Sequence, residues 1–209
     1  NRLKPEQIVT YQAQCPNFSY SADDLMTYFA DKDIQSLLLI NPDNPTGNYI
    51  PYADCLHLAD WCQQRNILFV LDESFIDFSV EHPTFFKDDI LEQYSNLVVI
   101  KSISKSYGVP SLRLGILATS NVDIMTVIRR SVSIWNINSF AEFFLQILGK
   151  YEASYQQAMD EFRAERARFV DKLHKIDFLR VLPSEANYLL CEVKQPHTPR
   201  ELAIRLLKD

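Results

Sequence analysis

A chain of 209 residues is long enough for one large domain, or for one domain and part of a second. Apolar residues make up 47% and charged residues 23%, an ordinary globular composition, and a net charge of −6 leaves no basic face for nucleic acid. No apolar run approaches the ~20 residues of a membrane-spanning helix and no leader-like stretch opens the chain, so a cytoplasmic protein without a membrane partner is expected.

The stretch QIVTYQ at 7–12 predicts a short strand. Ser21, followed by Asp23 and Asp24 and then by Leu25, Tyr28 and Phe29, predicts a capped helix. The apolar run SLLLI at 36–40 predicts a buried strand, ending in the turn-rich loop NPDNPTG at 41–47. A helix is predicted over 51–65, with Cys55, Leu58, Ala59 and Cys62 on its buried face. A second buried strand, ILFVL at 67–71, runs into Asp72 and Glu73, and a third over 97–100 leads to a polar turn with Ser102, Ser104 and Lys105.

Arg113 stands just before Gly115, and LGILAT at 114–119 predicts another strand. Asn121 can cap a helix through Arg130, and 139–148 reads as a strongly apolar helix. A long charged amphipathic helix over 151–176 bridges to a second, smaller unit, where 178–182 and 187–193 read as strands. Thr198-Pro199-Arg200-Glu201 is a capping box with proline at the first helical position, so a last helix starts there.

Apolar strands alternating with helices predict an α/β fold with a mostly parallel sheet covered by helices on both faces. The expected division is a partial large domain over 1–150, then a linking helix and the start of a small α+β C-terminal domain over 151–209. Asn1 is not a methionine and Asp209 lies inside a helical pattern, so a piece of a longer chain is expected.

Cys15, Cys55, Cys62 and Cys191 form no C-x-x-C pair and read as reduced core thiols. His57, His82, His174 and His197 are scattered, and no metal site is expected. Of the four glycines, Gly47, Gly108 and Gly115 fall in the motif loops, where a tight turn or a close ligand would call for them.

In sheets of this kind, ligands bind beyond the carboxyl ends of the strands. Asn44 follows the first buried strand, Asp72 the second, and Ser102, Ser104 and Lys105 the third. Two hydroxyls, an amine and the Arg113 guanidinium at the end of a buried strand make a site for a phosphate beside a reactive amine.

Taken together, NPDNPTG at 41–47, LDESFIDF at 71–78 and SISKSYGVPSLRLG at 102–115 make the chain resemble the pyridoxal-phosphate enzymes of the aspartate-aminotransferase fold, the class I/II aminotransferases. The branch it is most similar to holds histidinol-phosphate aminotransferase and threonine-phosphate decarboxylase. IWNINSFAE at 134–142 and LPSEANYLL at 182–190 are weaker echoes, and the resemblance runs from about Val9 to the end.

The resemblance implies pyridoxal 5'-phosphate as cofactor, with Lys105 forming the Schiff base and then moving the α proton. It implies Asp72 against the pyridine nitrogen, Asn44 on the ring hydroxyl oxygen, and Arg113 on the phosphate with Ser102 and Ser104. The tyrosine that many aminotransferases carry three positions after the aspartate is Phe75 here, which leans toward the decarboxylase side.

The expected activity is transfer of an amino group between an amino acid, phosphate-bearing in this branch, and a 2-oxo acid. The alternatives are a threonine-phosphate decarboxylase-like lyase, or a truncated piece without activity of its own. The family also implies a homodimer. Its N-terminal phosphate loop and C-terminal carboxylate-clamping arginine find no match, since Arg180, Arg200 and Arg205 lie outside that context; weak cofactor binding by this piece alone is expected.

Overall fold

In the computed structural model, residues 4–208 are described. The first helix, α1 (Ala22–Phe29), opens on a reciprocal cap: the Ser21 hydroxyl accepts the Asp24 N–H and the Asp24 carboxylate accepts the Ser21 N–H. There follow β1 (Ser36–Ile40), α2 (Tyr52–Gln64), β2 (Leu68–Asp72), α3 (Asp88–Gln93), β3 (Leu97–Ser102) and the single helical turn α4 (Ile103–Ser106). After β4 (Gly115–Ala118) come α5 (Val122–Ser131), α6 (Ser139–Leu148) and the long α7 (Glu152–Leu173). A two-stranded antiparallel sheet, β5 (Leu179–Val181) with β6 (Cys191–Val193), and α8 (Pro199–Leu206) end the chain.

The main sheet has the order β1-β2-β3-β4. The first three strands are parallel and β4 runs antiparallel to β3, with Gly115 opposite Ser102. On one face Leu37, Leu39, Phe69, Leu71, Leu97 and Val99 are buried against α1 and against Cys55, Leu58, Ala59 and Cys62 of α2. Each such side chain stabilises by roughly 1.5–3 kcal/mol, which is why continuous apolar runs became strands here. Burial pushes the Cys55 and Cys62 thiols up to about 12, so both stay protonated and inert. Cys15, by contrast, is exposed and Cys191 only half-buried, a correction to the reading of all four as core thiols.

On the opposite face α7 packs only near the strand ends, where Met159, Tyr155 and Phe162 meet Ile40, Phe75 and Phe78. Alternate residues point to opposite faces, so Leu38 falls on that second face and is 62% exposed. Helices flank the sheet as expected, but among the described residues β1 is covered on one face only. Apolar exposure is heavier in the α5–α6 connection, where Ile134 and Trp135 are 94% and 92% exposed.

The strand expected over 7–12 does not form. Pro5–Gln7 is a 3₁₀ turn, and Ile8 and Val9 are exposed with no strand beside them. A β-branched alternation makes a strand only where a neighbouring edge accepts its backbone bonds. The polar turn expected after β3 is helical, and β6 is shorter than the expected 187–193 because Tyr188 turns back to donate to the Asp43 carbonyl at 2.7 Å.

Contacts from α7 also hold segments on either side of it in the chain. Arg163 donates to the Asp77 carbonyl at 2.9 Å, and Arg166 donates to the Ala186 carbonyl at 2.8 Å and to the Glu185 carboxylate at 3.0 Å. Among the described residues no helix is long and apolar enough to cross a membrane.

Candidate functional site

The loop after β1 is braced from inside by a buried side chain. Asn41 donates its amide to the Ile50 carbonyl at 2.9 Å and accepts the Ile50 N–H at 2.8 Å. Asp43 and Gly47 add backbone bonds of 2.8 Å within the loop. Gly47 has φ +76°, and a Cβ there would lie 2.0 Å from the Ser184 hydroxyl, so only glycine fits. Asn44 stands exposed at the tip, and no other described residue bonds its amide.

Asp72 closes β2 in register between Ile40 and Ile100. One carboxylate oxygen accepts the Ser74 N–H at 2.9 Å; the other has no partner among the described residues. Glu73, next in the chain, is buried, and its carboxylate accepts from the Thr84 hydroxyl and from the Phe85 N–H at 2.8 Å. Burial raises its carboxyl above the usual range; the Thr84 and Phe85 donors and the Lys101 charge oppose that without cancelling it. The Ser74 hydroxyl accepts the Ser102 N–H at 2.9 Å and so ties the end of β2 to the end of β3.

Lys105 is exposed on α4, its Nζ 4.2 Å from the centre of the buried Phe75 ring. The Tyr188 ring meets the same Phe75 edge-on at 5.2 Å. Arg113 is exposed and adopts the left-handed conformation at φ 56°, a backbone state that costs a non-glycine residue about 1–2 kcal/mol. Both neighbours are pinned: the Leu112 carbonyl accepts from Asn138 at 3.1 Å, and the Leu114 carbonyl accepts the Ile103 N–H at 3.2 Å. The Arg113 guanidinium donates to the Pro110 carbonyl at 3.2 Å and meets no carboxylate among the described residues.

The sheet thus sets Asp72, Ser102, Lys105 and Arg113 at neighbouring strand ends, with Phe75 under the amine and Asn44 on the adjoining loop. Ser104 is not in this group. It is buried, with its hydroxyl directed at the Leu114 carbonyl at 3.5 Å. Arg180 is engaged elsewhere, by Glu192 at 2.6 Å and Asn17 at 3.1 Å.

Among the described residues, the Lys105 amine and the Arg113 guanidinium have no ion-pair partner, and the Ser102 hydroxyl and one Asp72 oxygen have no hydrogen-bond partner. An amine, a guanidinium, a hydroxyl and a carboxylate left open together fit a ligand carrying an aldehyde, a phosphate and a protonated ring nitrogen. Sequence reasoning did not single out Ser74, Glu73, Asp77, Lys101, Tyr155 or Tyr188. All but Tyr155 lie in or beside the motif stretches, where their partners could not be read from one dimension.

The family profile for aminotransferase class I and II matches residues 2–209. The CMP-5'-(3-aminopropyl)phosphonate synthase of Streptomyces rubellomurinus is 31% identical over 208 residues, 100% of this chain and 33% of that protein. The threonine-phosphate decarboxylase of Salmonella typhimurium is 36% identical over 173 residues, 81% of this chain and 47% of that protein. The crystal structure of histidinol-phosphate aminotransferase from Clostridium acetobutylicum superposes with a TM-score of 0.80 at 29% identity, over 92% of this chain and 57% of that one. The chain therefore spans a third to about half the length of the curated relatives it matches.

Proposed function

This chain belongs to the class I and II aminotransferase family, which depends on pyridoxal 5'-phosphate, and from that premise we propose that the whole protein is an aminotransferase acting on a phosphate-bearing amino acid. The observation that carries the proposal is the unpaired Lys105 amine at the carboxyl end of β3, set beside Asp72 at the end of β2 and Arg113 before β4. Support for the phosphate on the substrate comes from the three relatives above, each named for a phosphate or phosphonate compound.

The cofactor, when bound, supplies an electron sink for the pair released at the substrate's α carbon. Lys105 Nζ would hold the cofactor through its aldehyde and would carry the proton taken from the substrate's α carbon. The open oxygen of Asp72 accepts the ring N–H and keeps that nitrogen protonated. The Asn44 amide donates to the ring oxygen, without help from position 75, where Phe75 has no hydroxyl. Arg113 and the Ser102 hydroxyl grip the phosphate. Ser104 drops out of that set because it is buried and directed at Leu114.

Phe75 also favours a second reading, a decarboxylase, together with the 36% identity to the threonine-phosphate enzyme. The intact protein is taken as a homodimer, in keeping with the family resemblance and with the bare apolar surface at Ile134 and Trp135. The test is incubation of the full-length, cofactor-loaded protein with L-threonine phosphate and a 2-oxo acid. Formation of the new amino acid supports amino transfer, whereas release of carbon dioxide moves the assignment to the lyase. Lys105→Ala is expected to abolish either product.

A further inference from the structure

The tie between Ser74 and Ser102 stands where β2 and β3 part. The two strands pair in parallel as far as Asp72 and Ile100. The Glu73 N–H makes the last main-chain rung, to the Ile100 carbonyl at 2.8 Å. Regular parallel pairing would give the next N–H facing β2, that of Ser102, to the Glu73 carbonyl. That carbonyl has turned away and accepts the Ile76 N–H at 3.1 Å instead. The Ser102 N–H goes to the Ser74 hydroxyl at 2.9 Å and meets no other acceptor among the described residues. A buried side chain therefore supplies the rung that the main chain has given up. The same residue also holds Asp72, whose carboxylate accepts the Ser74 N–H at 2.9 Å. On its far side Ser102 lies opposite Gly115 of β4 and starts α4, the turn that carries Lys105. The Ser102 hydroxyl makes no capping bond to that turn.

We propose that Ser74 is a positioning residue: its hydroxyl fixes the Ser102 backbone and, through it, the Ser102 hydroxyl that meets the cofactor phosphate. The inference rests on the phosphate grip given to Ser102 and Arg113 above. A hydroxyl is useful to a phosphate only when the residue bearing it is already held, because an unheld residue loses freedom on binding. At this point the sheet has opened, and Ser74 is what still holds the β3 side to the β2 side. Its two bonds have different origins. The bond to Asp72 comes from the main chain and survives any change of the side chain, whereas the bond to Ser102 needs the hydroxyl. Removing the hydroxyl is therefore felt at the phosphate end of the ligand and spared at the ring-nitrogen end.

The test reads binding rather than turnover. The full-length, cofactor-free protein is titrated with pyridoxal 5'-phosphate and, separately, with pyridoxal, which lacks the phosphate; the absorbance of each bound form gives its Kd. Wild type is expected to prefer the phosphate ester strongly. Ser74→Ala is expected to weaken pyridoxal 5'-phosphate about tenfold and to leave pyridoxal within about twofold. Ser102→Ala is expected to show the same selective loss. Adding Ser74→Ala to it is expected to weaken the phosphate ester by no more than about twofold further, because the hydroxyl that Ser74 positions is already gone. An unchanged preference in Ser74→Ala, an equal loss for both ligands, or losses that multiply in the double variant each overturn the positioning role while the cofactor reading stands. If wild type binds the two ligands alike, the phosphate grip of Arg113 and Ser102 falls, and the role of Ser74 falls with it.

Discussion

At the scale of single residues, the site depends on side chains that keep one bonding position open. Asp72 uses one oxygen on the Ser74 N–H and leaves the other for a ligand. Asp72→Asn keeps an acceptor for Ser74, so the fold is expected to survive within about 0.5 kcal/mol in urea unfolding. It removes the charge opposite the ring nitrogen, and turnover of the full-length enzyme is expected to fall about 10²-fold or more. Gly47 makes the opposite kind of demand. Gly47→Ala puts a Cβ 2.0 Å from the Ser184 hydroxyl at a φ of +76°. The backbone alone costs about 1–2 kcal/mol, so the denaturation midpoint is expected to drop by at least that equivalent. Both residues were visible in the sequence as motif members. Why glycine is needed at position 47 was not visible, since Ser184 lies far along the chain.

At the scale of elements, two buried carboxylates near the strand ends make stability depend on pH in opposite directions. The Glu73 carboxyl is raised by burial, despite its bonds to Thr84 and Phe85. The folded chain therefore holds that proton more tightly than the unfolded chain, and stability is expected to fall as pH rises above the ordinary carboxylate range. Glu73→Gln, which cannot ionise, is expected to flatten that slope when urea midpoints are compared between pH 4 and 7. Burial works against the Asp77 carboxylate as well, but Lys101, Ser106 and Tyr155 outweigh it and hold its carboxyl low. Its contribution is present above the unfolded value of 3.8 and lost as pH falls through the folded one, so Asp77→Asn is expected to remove part of the acid-side unfolding transition.

The strands and capped helices of this region were legible because continuous apolar runs and cap residues act locally: β1, β2, β3 and the Ser21 and Asn121 caps all formed where the pattern put them. The expected strand over 7–12 failed because pairing is not a local property. The left-handed Arg113 was equally invisible, since its neighbours are held by Asn138 and Ile103 from other elements.

At the scale of the whole molecule, the sheet and its strand-end site coexist with much uncovered apolar surface. Leu38, Ile134, Trp135 and Phe140 are exposed, and the chain spans only part of its relatives. These 209 residues expressed by themselves are therefore expected to self-associate, eluting well above 24.3 kDa in size-exclusion chromatography. Trp135→Glu is expected to shift that elution toward the monomer. The α/β class and the strand-end placement of Asn44, Asp72 and Lys105 followed from alternation of elements alone. The cross-links between distant segments did not, because no periodicity records which loop a later residue will reach.

One of those cross-links joins residues made far apart in time during synthesis. Tyr188 bonds the carbonyl of Asp43, a neighbour of Asn44, across 145 positions of chain. While the ribosome is still extending the polypeptide, the sheet and the local braces of the Asn44 loop can assemble as they emerge, but the tie from Tyr188 can form only after that residue has cleared the exit tunnel.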